Sequence, residues 1–283
     1  MKIAATVIIY HPKLDVHENI SSYLPYFDLL IISDNSEPNA DDFLLRYKNE
    51  SNVIILKNKE NEGIAKPLNI AAEIAINKGY NWLLTMDQDS SFEAGDFRNY
   101  LNCLAGINAY ETAMVGINYE KKTVDADICT TSEVPLLITS GSFLNLGIYS
   151  KVGPFNEALF IDFVDSDYCW RSRLKGFKIL QLRNIFLTHH LGEMVQAGFI
   201  FSKGQTIRKK YGTSRIYYMV RNYLHLNKSY GKLFKKEFQQ QKKVIYNTFK
   251  NNLLYKNERV SLVKTLLTAY SHAQKGVMGK RYS

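Results

Sequence analysis

The sequence predicts an α/β fold, an open and mostly parallel sheet flanked by helices, followed by a basic helical extension. Two patterns carry this. Short apolar runs alternate with helix-like stretches through the first hundred residues, and strand alternating with helix is the signature of a parallel, doubly wound sheet. After Phe201 the apolar residues move to three-to-four spacing with Lys and Arg between them, as amphipathic helices require. With 283 residues, 46% of them hydrophobic, the chain can bury a substantial core.

In order, Ala4–Tyr10, Leu29–Ser33, Val53–Lys57 and Trp82–Met86 read as buried strands, being short continuous apolar runs bounded by turn formers. Between them Asp15–Leu24, Asp41–Lys48 and Ile64–Lys78 read as helices, the last closed by Gly79. The middle mixes strands at Ala113–Ile117, Leu136–Thr139, Lys178–Leu182 and Ile185–Thr188 with a helix at Ser166–Lys175. Three helices, Ser214–Lys228, Phe234–Leu254 and Val260–Ala273, complete the chain. The expected division is a sheet domain over 1–200, with halves 1–105 and 106–200, and a helical extension over 201–283.

Charge divides along the same line. From Gly198 onward there are 19 Lys or Arg against two acidic residues, while the first 197 residues sum to −8. A block of positive charge attracts a polyanion: nucleic acid, an anionic lipid surface or a phosphate-bearing molecule. A solvated face without a partner is the plain alternative. Cys103, Cys129 and Cys169 are odd in number and lack a CxxC pair, so the spacing predicts free thiols, no structural zinc and a reducing cytosol. No run of ~18 uncharged apolar residues occurs, so membrane association would be peripheral.

In doubly wound sheets, ligands sit beyond the carboxyl ends of the strands. Four polar clusters fall there: Tyr10-His11-Pro12, Ser33-Asp34-Asn35-Ser36, Asn61 to Ala65 and Asp87-Gln88-Asp89-Ser90. Any one alone reads as turn and cap residues. Asp87 and Asp89, two apart in extended backbone, point to one side and can share a hard cation, Mg²⁺ or Mn²⁺, or form an ordinary acidic turn. A second acidic group, Asp162, Asp165 and Asp167, lies among aromatics. One of these can cap a helix, Asp167 and Arg171 can pair at i,i+4, and a carboxylate beside apolar groups has the raised proton affinity of a general base. His189 and His190 follow another strand and are structural or metal-directed. A phosphate-cradling glycine-rich loop near the N-terminus and a GxGxxG after the first strand are both missing, which sets aside nucleotidyltransferase and dinucleotide-binding folds.

Three segments together, Trp82 to Ser90, Phe160 to Arg171 and Tyr217-Tyr218-Met219-Val220-Arg221-Asn222, resemble the family 2 inverting glycosyltransferases of the GT-A fold. The likeness is to their bacterial rhamnosyltransferase-like group, which builds surface polysaccharide such as O-antigen. It runs from about Ala4 to Asn222, with a weaker echo at His272 to Lys280. The resemblance implies that Tyr10, His11, Asp34 and Asn61 meet the nucleotide base and ribose, and that Asp87 faces the ribose or diphosphate. It implies Asp89 and His189 at the metal, Gly141 and Ser142 in the acceptor-side loop, and Asp165 as catalytic base. Val164 stands where the family commonly has Glu, so Asp162 stays a rival for the base. Arg215 or Arg221 would assist at the leaving phosphate.

The implied donor is dTDP-rhamnose, with a hexose or galactofuranose donor as the alternative. The implied acceptor is a saccharide or lipid-diphosphate-linked glycan at the inner face of the plasma membrane. The basic extension would serve an anionic membrane surface, a homodimer interface or internal packing. A nucleic-acid-binding protein is the alternative of another class, and it leaves the acidic clusters unexplained.

Overall fold

A computed structural model of the chain describes residues 1–93, 95–119, 127–189, 194–198, 205–209, 211–255 and 259–281; at 189, 194–198 and 205–209 the description is of the backbone. The elements in order are β1 (Ile3–Ile9), α1 (Val16–Ser21), β2 (Leu30–Asp34), α2 (Asp41–Leu44), β3 (Val53–Lys57), α3 (Ala65–Asn77), β4 (Trp82–Asp87), β5 (Ser90–Ser91) and α4 (Asp96–Ala105). They continue with β6 (Thr112–Asn118), β7 (Thr131–Glu133), β8 (Ser142–Asn145), α5 (Leu146–Val152), α6 (Val164–Leu174), β9 (Lys178–Phe186), β10 (Thr188–His189), β11 (Met194–Gly198), β12 (Gln205–Lys209), α7 (Thr213–Tyr230), α8 (Lys235–Tyr255) and α9 (Arg259–Lys275). The chain folds as two compact units, Met1–Glu157 with Val164–His190, and Ala158–Phe163 with Leu191–Ser283.

The first unit is built on an eight-stranded sheet of order β3-β2-β1-β4-β8-β6-β9-β7. Strands β1 to β4 are mutually parallel, β6 and β9 are parallel, and β8 runs antiparallel between β4 and β6. Alternate residues of β1 and β4 (Ala5, Val7 and Ile9; Trp82, Leu84 and Met86) pack on one face with α1, α2 and α4. Helices α3, α5 and α6 pack together on the other. α3 buries Ala65, Leu68, Ala71, Ala72 and Ala75 along one face. It ends where Gly79, at φ 76°, lets its N–H reach Ile76 O and the Tyr80 N–H reach Ala75 O. α5 starts at Asn145, whose Oδ1 accepts from the Gly147 and Ile148 N–H groups while its Nδ2 donates to Ala109 O and Thr112 O.

Three differences from the sequence expectation have physical causes. Leu136–Thr139 is not a strand: Leu137 is buried beside Gly116, where an added Cβ would meet it at 2.7 Å, so the run packs through its side chains instead of joining the ladder. β8 carries no signal in the sequence, four residues being too few to show a period. The thiols are also corrected. Cys103 of α4 and Cys129 form a disulfide, Cα atoms 5.0 Å apart, while Cys169 is free and buried. Spacing in sequence does not report a proximity that tertiary packing creates.

In the second unit, α9 packs along α7, and β11 pairs antiparallel with β12. The knot of the unit is the Arg221-Asn222 pair. Arg221 is buried, and its guanidinium donates to Gly279 O (2.6 Å), Leu159 O (3.0 Å), Ala158 O (3.3 Å) and Asn222 Oδ1 (2.9 Å) between the rings of Tyr217 and Tyr218. Asn222 Nδ2 donates to Leu159 O, Ile161 O and Asp162 O, at 2.8–3.0 Å. Those carbonyls belong to a loop in which Phe160, Asp162 and Phe163 all have positive φ (68°, 59° and 66°). Among the described residues no helix is long and apolar enough to cross a membrane.

The disulfide predicts that the denatured, unreduced chain titrates with one thiol, Cys169, and with three after reduction; three thiols without reductant overturns the pairing. Closing a loop of 26 residues, the bond should also add about 3 kcal/mol to stability over the Cys129→Ser variant in denaturant unfolding.

Candidate active site

The parallel register brings the polar clusters to one edge. Ile9 lies opposite Asp34 and Ile8 opposite Asp87, so β1, β2 and β4 end at the same level. Just past β4 the chain turns, and Gln88 explains why an amide stands between two carboxylates. Its Oε1 accepts from the Tyr10 N–H (2.7 Å) and its Nε2 donates to Tyr10 O (3.1 Å), which ties the turn to the loop after β1. Asn19 of α1 donates to Gln88 O from below (2.8 Å). The Asp87 N–H donates to Ser140 Oγ (3.2 Å), and Ser140 Oγ to Ser90 Oγ (2.9 Å). This turn is thus braced from three elements.

The nucleotide-side residues divide into presented and structural groups. Tyr10 is about half exposed and its ring meets that of His11 edge-on at 4.3 Å. His11 has φ 45°, and its N–H donates to Ser36 Oγ (2.8 Å). Asp34 is fully buried, its carboxylate accepting from the Ser36 N–H (2.9 Å) and the Ala40 N–H (2.7 Å), so it shapes the loop after β2. Asn61 Oδ1 accepts from the Gly63 N–H (2.9 Å), and its own N–H donates to Glu37. Asn35 and Asn58 link the same loops, with Asn35 Nδ2 donating to Gly63 O and Asn58 Nδ2 to Asn35 Oδ1, each at 2.7 Å.

On the other side, Asp165 lies in the first turn of α6, where the helix dipole favours a carboxylate, and its Oδ1 accepts from the Ser166 N–H (2.7 Å). Tyr119, which sequence reasoning missed, reaches the loop whose Ser140 braces Asp87. Its hydroxyl donates to Ser140 O (2.9 Å), and its pKa is raised first by burial and then by the negative charges of Asp165 and Asp87. The available signal was its place just after β6, the strand-end position inspected elsewhere. Asp167 forms the i,i+4 pair with Arg171 (2.8 Å), whose remaining N–H groups reach Val152, Gly153 and Pro154 carbonyls.

Gly141 and Ser142 stand differently from a sugar-facing loop. Gly141 has φ 73°, and the space of its missing Cβ is bounded by Ile117 at 3.0 Å and Leu187 at 3.3 Å. Ser142 is fully buried and donates to Ile138 O (2.7 Å). In the second unit Asp162 Oδ1 accepts from Arg215 Nε (3.2 Å) while Oδ2 is buried with no hydrogen-bond partner. Arg221 is a correction: with its donors on backbone carbonyls inside the unit, it clamps the loop instead of meeting a phosphate.

Among the described residues no three His, Cys, Asp or Glu side chains converge on a ready-made cation cage. The edge offers Asp87 and Asp89, two positions apart, and β10 pairs with β5 so that the backbone of His189 lies opposite Ser90. Carboxylate oxygens suit Mg²⁺ or Mn²⁺, whose remaining ligands a diphosphate can supply. His190 lies outside the described residues.

Residues 13–132 match the family described as Glycosyl transferase family 2. The chain is 26% identical over 212 residues to the dTDP-rhamnosyl transferase RfbF of Shigella flexneri, covering 68% of this chain and 70% of that protein. Its fold is similar to S. aureus TarS (TM-score 0.55, 15% identity, 96% of this chain and 49% of that one). It is also similar to GalNAc-T7 solved with UDP, GalNAc and Mn²⁺ (TM-score 0.55, 11% identity, 66% of this chain and 43% of that one). The chain therefore spans about half the length of the TarS chain it matches. The likeness establishes a GT-A sheet flanked by helices.

Burial raises the Asp162 carboxyl above its ordinary range, against the pull of Arg215. The folded state then holds the proton more tightly than the unfolded chain does. Its contribution is fully present below the unfolded carboxylate pKa of about 3.9 and is lost as pH rises through the raised folded value. Asp162→Asn keeps the group neutral at every pH, so its stability relative to wild type should grow from pH 4 toward 7 in urea titrations. A difference constant with pH overturns the assignment.

Proposed function

We propose that this chain, which carries a glycosyl transferase family 2 domain, transfers a sugar with inversion from a nucleoside diphosphate donor to an acceptor hydroxyl. The observation that carries the proposal is the common level of the sheet edge, where the strand register sets Asp34 opposite Ile9 and Asp87 opposite Ile8, in a chain whose residues 13–132 match glycosyl transferase family 2. Polar groups at the carboxyl ends of parallel strands stand where such a sheet takes a nucleotide, and Asp165 at the start of α6 is the carboxylate assigned as base.

In this mechanism Asp165 accepts the proton of the acceptor hydroxyl as its oxygen attacks the anomeric carbon. The bond from that carbon to the diphosphate oxygen breaks with its electron pair on the leaving nucleotide. Tyr10 and His11 stack against the base, with Asp34 and Asn61 shaping the loops around base and ribose, and Gln88 holds Tyr10 in register with Asp87. A divalent cation, Mg²⁺ or Mn²⁺, held by Asp89 and His189 would supply Lewis-acid neutralisation of the departing diphosphate. Inversion in one displacement requires no nucleophilic side chain. Cys169 accordingly has no part in it: burial pushes its thiol up to about 12.

For the donor, dTDP-rhamnose is favoured on the name of the Shigella flexneri relative, with other hexose or galactofuranose nucleotides as the alternative. For the acceptor, a saccharide or a glycan on a lipid diphosphate suits a chain whose second unit is strongly basic.

A panel of nucleotide sugars scored by thermal shift with Mn²⁺ tests this. dTDP-rhamnose should stabilise the wild type in a metal-dependent way, and Asp89→Ala should lose that shift. Asp165→Asn should keep the shift while kcat falls by about 10²–10⁴. If no nucleotide sugar shifts the melt while nucleic acid binds salt-sensitively, transferase chemistry gives way to nucleic-acid binding.

A further inference from the structure

α9 has two apolar faces, and among the described residues one of them has no cover. Leu262, Thr265, Ala269 and Ala273 are buried on the side that packs along α7. Val260, Val263, Leu267 and Tyr270 lie on the opposite side, 70%, 46%, 67% and 56% exposed. Steps of three, four and three residues bring these four onto one stripe along the helix. The exposed apolar residues of α8, Val244, Tyr246 and Leu254, fall on different sides of that helix and are the ordinary scatter of a protein surface.

The surroundings of the stripe identify what it fits. Helical spacing puts Arg259 along one flank and Lys264 and Lys275 along the other, all three exposed, and α9 contains no Asp or Glu. The stretch from Gly198 onward carries 19 basic residues against two acidic. An apolar stripe with cationic borders is the profile of a helix lying in the plane of an anionic bilayer, the apolar side chains at the acyl boundary and the ammonium groups among the headgroups. Tyr270 adds an amphipathic ring of the kind concentrated at that depth.

We propose that this face of α9 docks on an anionic lipid surface. A second copy of the chain is the competing occupant, and charge disfavours it. Packing two such faces together would juxtapose the Arg259, Lys264 and Lys275 of both copies, with no carboxylate on either helix to answer them. The proposal goes beyond the transferase reading and does not depend on it, since vesicle binding is measured without any sugar.

The test is sedimentation of the whole chain with vesicles of about one-third phosphatidylglycerol in phosphatidylcholine, and with phosphatidylcholine alone. The wild type should bind the anionic vesicles roughly tenfold or more tightly than the neutral ones, with the preference shrinking in high salt. The double variant Val263→Ser/Leu267→Ser alters two exposed positions, so it should melt as the wild type does while losing roughly tenfold in vesicle affinity. Lys264→Glu/Lys275→Glu should erase the preference for anionic lipid. Equal binding by wild type and the serine variant overturns the proposal, as does indifference to lipid charge. Light scattering that finds a dimer which the serine variant dissociates assigns the stripe to a second copy instead.

Discussion

The register of β4 between β1 and β8 is the constraint on which the sheet edge depends. Trp82 to Met86 is buried on both faces, so the strand cannot slide by one residue without exchanging the side chains that meet α1 and α4 for those that meet the opposite layer. With that register held, Asp87 falls opposite Ile8, and the turn that follows projects from the same level as the ends of β1 and β2. Gln88 then converts a strand register into a loop position. Its two hydrogen bonds to the Tyr10 backbone mimic one more rung of the sheet beyond the last regular pair.

The acidic residues of this chain do different work according to what surrounds them. Asp34 and Asp167 are buried and committed, one to backbone N–H groups and the other to an arginine, and these pairings offset the desolvation of a carboxylate. Asp165 sits in the first turn of α6, where the dipole stabilises its charge and the Ser166 N–H donates to its Oδ1. Composition alone makes these carboxylates equivalent; only the fold separates those that hold a loop from Asp87, exposed at the end of β4.

Much of this was legible beforehand, and the exceptions are instructive. The first four strands were visible because each is a short apolar run ending in a polar cluster, and the strand-end rule then located Tyr10, Asp34, Asn61 and Asp87 together. Burial is what the rule cannot see. The resemblance implies Asp34 at the nucleotide and Ser142 in an acceptor-side loop, whereas Asp34 is buried with its carboxylate on backbone N–H groups and Ser142 is wholly enclosed. Contacts between segments remote in sequence were equally hidden. The Cys103–Cys129 bond, the place of Ser140 beneath Asp87 and the pairing of β10 with β5 join residues 26 to about 100 positions apart, and no local pattern encodes them.

The Arg221-Asn222 pair shows how a motif can be specific and still be misread. A left-handed conformation costs a non-glycine residue on the order of 1–3 kcal/mol, and Phe160, Asp162 and Phe163 each bear it within one short loop. Within the loop the Ile161 N–H donates to Leu159 O (2.9 Å) across Phe160, a turn that fits the positive φ of that residue but does not hold Asp162 and Phe163 in place. Asn222 does, because a single amide donating to the carbonyls of Leu159, Ile161 and Asp162 requires those three oxygens to converge, and a chain in ordinary extended or helical backbone would not converge them. Arg221 adds two more carbonyls from Ala158 and Leu159 and ties them to Gly279, so the strained loop, α7 and the last segment of the unit become one hydrogen-bonded body. Lysine in place of Arg221 would keep the charge but has no planar fork to reach carbonyls on opposite sides. The motif thus acts on the acidic loop before α6 through backbone geometry. That is why its residue types, a buried guanidinium and a buried amide, are those of a structural clamp.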